Sequence, residues 1–402
     1  MISYEAALEI IRGAAVSAAP HRVPAADALG STAAEIVLSQ ADVPAFANAA
    51  LDGYALRSAE GAAAAVTLRV AGRVAAGAPP PHTTPPGSAW EIMTGAPMPL
   101  DCDAVVAHEA VRLHTDPARV EFAGPVTPGA NRRLPGEDVR VGDTLLKPGQ
   151  PIDPAALMGL AAAACPTVLV HRPPRVSVII TGDELADGAS AINDANGPFL
   201  AACLRSAGVS LVAFAQRNDD PTALAACLKH AAADADLILT TGGVSAGARD
   251  FVPAALTAAG ATMLFHKVAI RPGKPLACAR FPQGPVVFGL PGNPVAVAVG
   301  WRFFVVPFLR AWLGQPPEAW LPARVDTAVR RRPGLTFFAK ARARVDASAV
   351  LRVEVLPGQE SFKIRPLMDA NCWAVVPADA ASVQADDTVS VAPLSPTGFP
   401  LA

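Results

Sequence analysis

The stretch Asp236–Asp250, DLILTTGGVSAGARD, decides how this chain folds. Its apolar run Leu237–Leu239 is too short for a helix and suits a strand buried on both faces. The run ends in Thr240-Thr241-Gly242-Gly243. Two adjacent glycines let the backbone approach a ligand, and consecutive N–H groups can form an anion nest. No GK[ST] follows, so this is not a Walker-type phosphate loop. Thr241 and Ser245 add hydroxyls. Asp250 stands near the next helix start, where a carboxylate either caps the helix or faces a cation.

The same grammar repeats on both sides. Upstream, RPPRVSVIIT (172–181) ends in the apolar run Val176–Ile180. A helix is predicted over about 197–207, a strand over 209–215 and a helix over about 221–233. Downstream come a helix at 251–259, the short strands MLFHKVAI and LACAR, the strand PVVFGL (285–290) and a helix at about 294–312. Strands alternating with helices of this length predict a parallel, doubly wound α/β sheet with helices on both faces. Ligands of such sheets sit at the carboxyl ends of the strands.

Four loops fall at those ends. TGDEL carries Thr181, Gly182, Asp183 and Glu184, and reads either as a capping turn or as a polar or metal-linked contact. TTGGVSAGARD is the second. RPGKP (271–275) stiffens Arg271 and Lys274 with two prolines, and Lys267 lies four residues before Arg271. Cations on a rigid loop suit phosphate or an oxyanion, although a solvated hairpin would look the same. GLPGNP brings Pro291, Gly292, Asn293 and Pro294 to a helix start. It either aims helix N–H groups at an anion or is a rigid turn capped by Asn293. Converging at one sheet edge, these loops suit a phosphorylated ligand with Mg²⁺ bridging phosphate and carboxylate oxygens.

The remainder is β-rich. Short apolar runs punctuated by Gly and Pro fill about 40–150, and a helix with Ser3 as N-cap is expected over 3–18. Polar clusters appear at Asp52-Gly53-Tyr54, at Thr94-Gly95 with Asp103 and Glu109, and at Arg132-Arg133 with Glu137 and Asp138. His108 reads as structural. No Ser/His/Asp or Cys/His nucleophile pattern is present. The chain has 402 residues, 51% hydrophobic and 17% charged, with net charge -2. That predicts several buried cores and no nucleic-acid partner. Six cysteines without CxxC spacing point to free thiols and a reducing compartment. No secretory leader is readable at the N-terminus, and prolines interrupt the most apolar stretch, so a soluble cytoplasmic protein with no membrane role is expected.

Seven strings in order resemble one family, the MoeA-type molybdopterin molybdenumtransferases, which include the E-domain of gephyrin. DVPAFANAALDGYA is similar to the family's PxFxxSAMDGYA, and EIMTGAPMPLDCDAVVAHE to its ImTGAxxPxGaDaVVxxE. PGEDVRVGDTLLKPGQ, TGDEL, TTGGVSAGARD, IRPGKPLA and GLPGNPV follow. The resemblance implies an N-terminal helix (1–20) packing on an α/β domain (171–315). It further implies a connecting domain (21–44 and 141–170), a β-rich domain (45–140) and a C-terminal β-barrel (316–402). It implies insertion of molybdate into adenylylated molybdopterin with release of AMP, Mg²⁺ on the phosphates, a homodimer, and other molybdenum-cofactor biosynthesis proteins as partners. Asp52, Thr94 and Asp138 would act in trans with Glu184, Asp219, Asp250, Lys274, Pro291 and Pro294. Asp183, Glu184 and Asp250 would form the metal shell, Arg271 and Lys274 would attract molybdate, and Ser361 would be retained from GxQxSxxLxSMxxAN.

The chain departs from the pattern at several places. SAMD is here Ala49-Ala50-Leu51-Asp52, which loses the serine hydroxyl at 49; Ala296 stands for a serine in GNPVS, Arg271 for a lysine, and Pro366 for the second C-terminal serine. The lost hydroxyls at 296 and 366 motivate a second reading, a non-catalytic carrier of molybdopterin or its cofactor. A nucleotide pyrophosphatase or deamidase is a third, disfavoured because it would not need the DGYA and TGA loops.

Overall fold

The computed structural model describes residues 1–402 except 64, 116–117, 183–191, 218–219, 245–250, 330–332, 381 and 396–402. The chain divides into two compact units, residues 1–21 with 171–402, and residues 22–170.

In the first unit, α1 (Tyr4–Ala14) starts at Ser3, whose side chain accepts the Ala6 N–H at 3.1 Å. It ends at Ala14 and not at 18, where the N–H of Ala15 folds back to Arg12 O and tightens the last turn. Then come β1 (Val176–Thr181), α2 (Asn196–Ser206), β2 (Leu211–Arg217), α3 (Pro221–Asp234), β3 (Leu237–Thr241) and α4 (Val252–Ala259). They are followed by β4 (Thr262–His266), β5 (Ala277–Arg280), β6 (Val286–Leu290), α5 (Pro294–Gly300) and, after a π turn at Trp301–Val305, α6 (Val306–Trp312). The sheet order is β2-β1-β3-β6-β5-β4. β2, β1, β3 and β6 run parallel, as their crossover helices require. β5 runs antiparallel to both neighbours, because the short Phe281–Pro285 link to β6 permits only a hairpin. In register, Ile180 meets Thr241 and Thr241 meets Leu290, so three strand ends are level and deliver their loops to one edge.

The predicted strand MLFHKVAI breaks at Lys267, whose φ is +69°. Beyond it, Ile270–Arg271 leaves the sheet and pairs with the C-terminal barrel. That barrel consists of β7 (Leu321–Val325), β8 (Thr336–Val345), β9 (Leu351–Val355), β10 (Cys372–Val376) and β11 (Thr388–Pro393), with a short helix α7 (Arg365–Asp369) before β10. It closes through β8-β9-β7-β11-β10 and back to β8. Phe337, Ala339, Ala341 and Ala343 of β8 fill the barrel. Phe338 points the other way into the α/β core, stacked on Phe303 at 3.9 Å with Tyr4 edge-on at 5.1 Å. Arg302 is buried and ties helix, linker and barrel together, donating to Pro393 O at 2.8 Å and to Glu318 Oε1 at 2.7 Å. Pro294–Trp312 is long and apolar enough to cross a membrane, yet 83% of its window is buried in this core.

The second unit contains a curled six-stranded sheet running Ala104–Ala107, Gly53–Leu56, Ser88–Ile92, Val66–Val74, Ala118–Phe122 and Val111–Thr115. A separate small core forms around the helix Pro154–Ala162, which Asp153 caps by accepting the Ala156 N–H at 2.8 Å. All six cysteines are free, as their spacing predicted.

Candidate functional site

A cleft of about 980 Å³ opens at the carboxyl edge of the sheet. Its walls are the ends of β1, β3 and β6, the RPGKP loop, and the barrel loop Gln359–Phe362. Of the residues singled out from the sequence, Thr181, Gly242, Gly243, Arg271, Lys274, Pro291, Gly292, Asn293, Pro294 and Ser361 line it together.

The glycine turn is shaped first by packing. Thr181 Oγ1 donates to Thr241 O at 2.9 Å and locks β1 against β3. A Cβ on Gly242, whose φ is +91°, would lie 2.6 Å from Thr181 Oγ1. One on Gly243 would lie 2.8 Å from the Phe251 ring. The Gly242 N–H is already given to Leu290 O at 3.1 Å. Thr241 does not line the cleft. It is 1% exposed, and its hydroxyl has no partner among the described residues. Gly182 is buried and does not line the cleft.

The cationic loop is anchored from below. Ile270 and Arg271 pair with Thr336 and Phe337 of β8, and the Arg271 guanidinium lies 5.4 Å from the Phe337 ring. The Val268 N–H to Lys274 O and the Leu276 N–H to Gly273 O close the loop at 2.9 and 3.1 Å. Arg271 and Lys274 are exposed, and neither forms an ion pair among the described residues. Their charges are therefore available to an anion. Lys267 is not part of the lining, so the cleft holds two of the three cations counted from sequence.

The PGNP turn departs from one expectation. Its helix N–H groups are not aimed at a ligand: Ala296 and Val297 donate to Asn293 O at 2.9 and 3.0 Å, and Val295 donates to Ser361 O at 3.0 Å. Asn293 is the N-cap through its backbone, while its side-chain Nδ2 donates to Ser361 Oγ at 3.0 Å. A hydroxyl whose lone pair is so engaged keeps its proton free to donate. Ala296 lines the cleft with no hydroxyl. Pro366 does not line it, but its Cγ backs the loop 3.0 Å from where a Gly358 Cβ would stand.

Sequence reasoning missed Asp194 and Asn196. Asp194 Oδ1 accepts the N–H groups of Asn196 and Gly197 at 2.9 Å each, and Asn196 Nδ2 donates to Gly292 O at 2.8 Å. The signal was an Asp two residues ahead of Asn-Gly before an apolar run, a helix-start pattern. Asp183, Glu184, Asp219, Ser245 and Asp250 lie outside the described residues. The described acids of the cleft are already engaged, Asp194 as a cap and Glu360 with Lys363 at 2.9 Å. No three metal-ligating side chains gather among the described residues.

Asp52, Thr94 and Asp138 belong to the second unit. The N–H and the hydroxyl of Thr94 both donate to Asp52 Oδ1 at 2.7 Å, and these bonds hold the exposed carboxyl below its usual range. Gly53 is required by the sheet, since a Cβ there would strike Val106 O. Asp138 is exposed, with its N–H on Val43 O at 3.0 Å. His108 packs edge-on against Tyr54 at 5.0 Å, as a structural histidine would.

Comparisons with known proteins cover the same ground. Family models described as the MoeA N-terminal region (domain I and II), a probable molybdopterin binding domain, and the MoeA C-terminal region (domain IV) match residues 2–164, 177–311 and 322–394. A molybdopterin molybdenumtransferase of Synechococcus elongatus is 37% identical, covering 97% of this chain and 99% of its own. Molybdopterin molybdenumtransferase 2 of Mycobacterium tuberculosis is 38% identical over 92% and 94%. The crystal structure of a molybdopterin biosynthesis MoeA protein from Pyrococcus horikoshii superposes with a TM-score of 0.82 at 25% identity, covering 97% and 99%.

Proposed function

Because this chain belongs to the MoeA family of molybdopterin molybdenumtransferases, we propose that its cleft takes adenylylated molybdopterin and molybdate, inserts the metal and releases AMP. The protein is a transferase of molybdenum-cofactor biosynthesis. The observation that carries the finer reading is that Arg271 and Lys274, neither in an ion pair among the described residues, line one cleft with Ser361 at the sheet's carboxyl edge. Lys274 is a compact charge suited to molybdate or a phosphate, and Arg271 can bind two oxygens at once. The free proton of Ser361 offers a third donor.

Cleaving a phosphoanhydride and loading two sulfurs calls for positioning and charge neutralisation more than for a protein nucleophile. Asp183, Glu184 and Asp250 would hold the Mg²⁺ expected on the phosphates, which would neutralise their charge. Asp52, Thr94 and Asp138 act in trans in a homodimer, in the cytoplasm, with other molybdenum-cofactor biosynthesis proteins as neighbours. The carrier reading is not favoured, since the curated relatives are named as transferases.

Titration of the purified protein with molybdopterin adenylate and molybdate, following AMP, tests the reading. Molybdate-dependent AMP release is expected. Tight pterin binding with no AMP release would replace it with the carrier function.

A further inference from the structure

We propose that Lys340, fully buried beneath the cleft, is the positioning residue for its barrel wall, an inference that rests on the cleft reading above. Lys340 sits in β8 on the face that turns away from the barrel core, and it is 0% exposed. Its ammonium meets no carboxylate oxygen within ion-pair distance among the described residues. Instead it donates to three backbone carbonyls, Gly358 O at 2.7 Å, Lys363 O at 3.0 Å and Glu360 O at 3.2 Å. An ammonium has three donors, so the set is complete. Gln359 fastens the same loop from the other side. Its Nε2 donates to Lys340 O at 2.8 Å and Leu356 O at 2.7 Å, and its Oε1 accepts the Lys340 N–H at 3.0 Å.

What this clamp holds is the segment that carries Ser361. Ser361 in turn receives Asn293 Nδ2 on its hydroxyl and the Val295 N–H on its carbonyl. Order therefore passes from Lys340 to Ser361 and on to the PGNP turn. The same strand, four residues earlier, pairs with Ile270–Arg271 and seats the cationic loop. One strand thus holds both the cationic loop and the loop that carries the Ser361 hydroxyl. Burying a charge on carbonyls alone is costly, and burial pushes the Lys340 ammonium below its ordinary value. A methionine would fill this space but leave the Gly358, Glu360 and Lys363 carbonyls without this donor, so what the lysine supplies here is the hold on that loop.

The test compares wild type with Lys340→Met and, should that variant fail to fold, Gln359→Ala. Hydrogen exchange of the ligand-free protein should accelerate at least tenfold in 357–364 and 293–297 and stay unchanged in 372–376. In steady-state AMP release, the KM for molybdate should rise at least tenfold with kcat within threefold of wild type. A merely structural lysine would lower the active fraction, and so kcat, and leave KM alone. Unchanged exchange at 293–297, or an unchanged KM, overturns the proposal. Failure of the cleft reading is recognised separately, because wild type itself would then neither bind molybdopterin adenylate nor release AMP, while the exchange arm still decides the role of Lys340.

Discussion

Asp52 illustrates how a single carboxylate can be prepared for work at a surface. Both Thr94 donors converge on one oxygen, so the group is fixed in place and stays charged near neutrality. Asp52→Ala should reduce AMP release by about a hundredfold, the scale of losing a positioned acid–base or orienting group, with an unchanged circular-dichroism melt. Normal turnover would remove Asp52 from the site. Asp103 shows the same chemistry in a structural role. Burial pushes it up, but the hydroxyl and N–H of Ser58, at 2.7 and 2.6 Å, bring it below the ordinary range. A depressed carboxyl contributes stability above its unfolded value of about 3.9 and loses it as pH falls through the lower folded value. Ser58→Ala should therefore cost about 1 kcal/mol at pH 7, and the difference from wild type in urea titrations should shrink below that range. A cost that is constant with pH would mean that Ser58 acts by packing alone.

At the scale of elements, each cleft loop is held by its own backbone and presents few atoms to a ligand. The β3 turn is the tightest: Gly242→Ala would force a Cβ against Thr181 at a φ that L-residues avoid. A loss of about 1–3 kcal/mol is expected, with weakened pterin binding because β1 and β3 must separate. An unperturbed melt would show that the close approach is soft. Lys274→Ala, on an exposed loop, should do the opposite. Stability should move by no more than about 0.5 kcal/mol, while calorimetric affinity for the anionic substrate falls roughly tenfold to a hundredfold. Equal affinity would exclude this loop from the anion site. The strands β1 and β3 were legible because each is an apolar run closed by threonine and then glycine. The turn at Lys267 was not, since nothing in MLFHKVAI marks a positive φ at a lysine. Nor was the role of Lys340 legible. In TFFAKARARV a lysine beside alternating arginines reads as an exposed face, and only the loop 358–363, some twenty residues later, makes it internal.

At the scale of the whole molecule, barrel closure was likewise hidden, because β7 pairs in parallel with β9 and antiparallel with β11 across long stretches of sequence that no local pattern announces. The family motifs filled that gap by fixing the order of parts, including a second unit that supplies Asp52, Thr94 and Asp138. The proposal that those residues serve a partner's cleft can be tested by mixing impaired variants. With substrate well below saturation, Asp52→Ala and Lys274→Ala homodimers should each keep about a tenth of wild-type turnover or less. If the site is shared in trans, a mixed dimer has one cleft with both defects and one with neither. Random reassortment of equal amounts makes half the dimers mixed, so activity should recover to about a quarter of wild type. If each site were built within one chain, every cleft in the mixture would keep one defect and no activity would return. Co-expression with two affinity tags, purification of the doubly tagged species and measurement of AMP release per dimer gives the sharper form of the test. There the trans arrangement requires half of wild-type turnover, and a value indistinguishable from the parent variants excludes it.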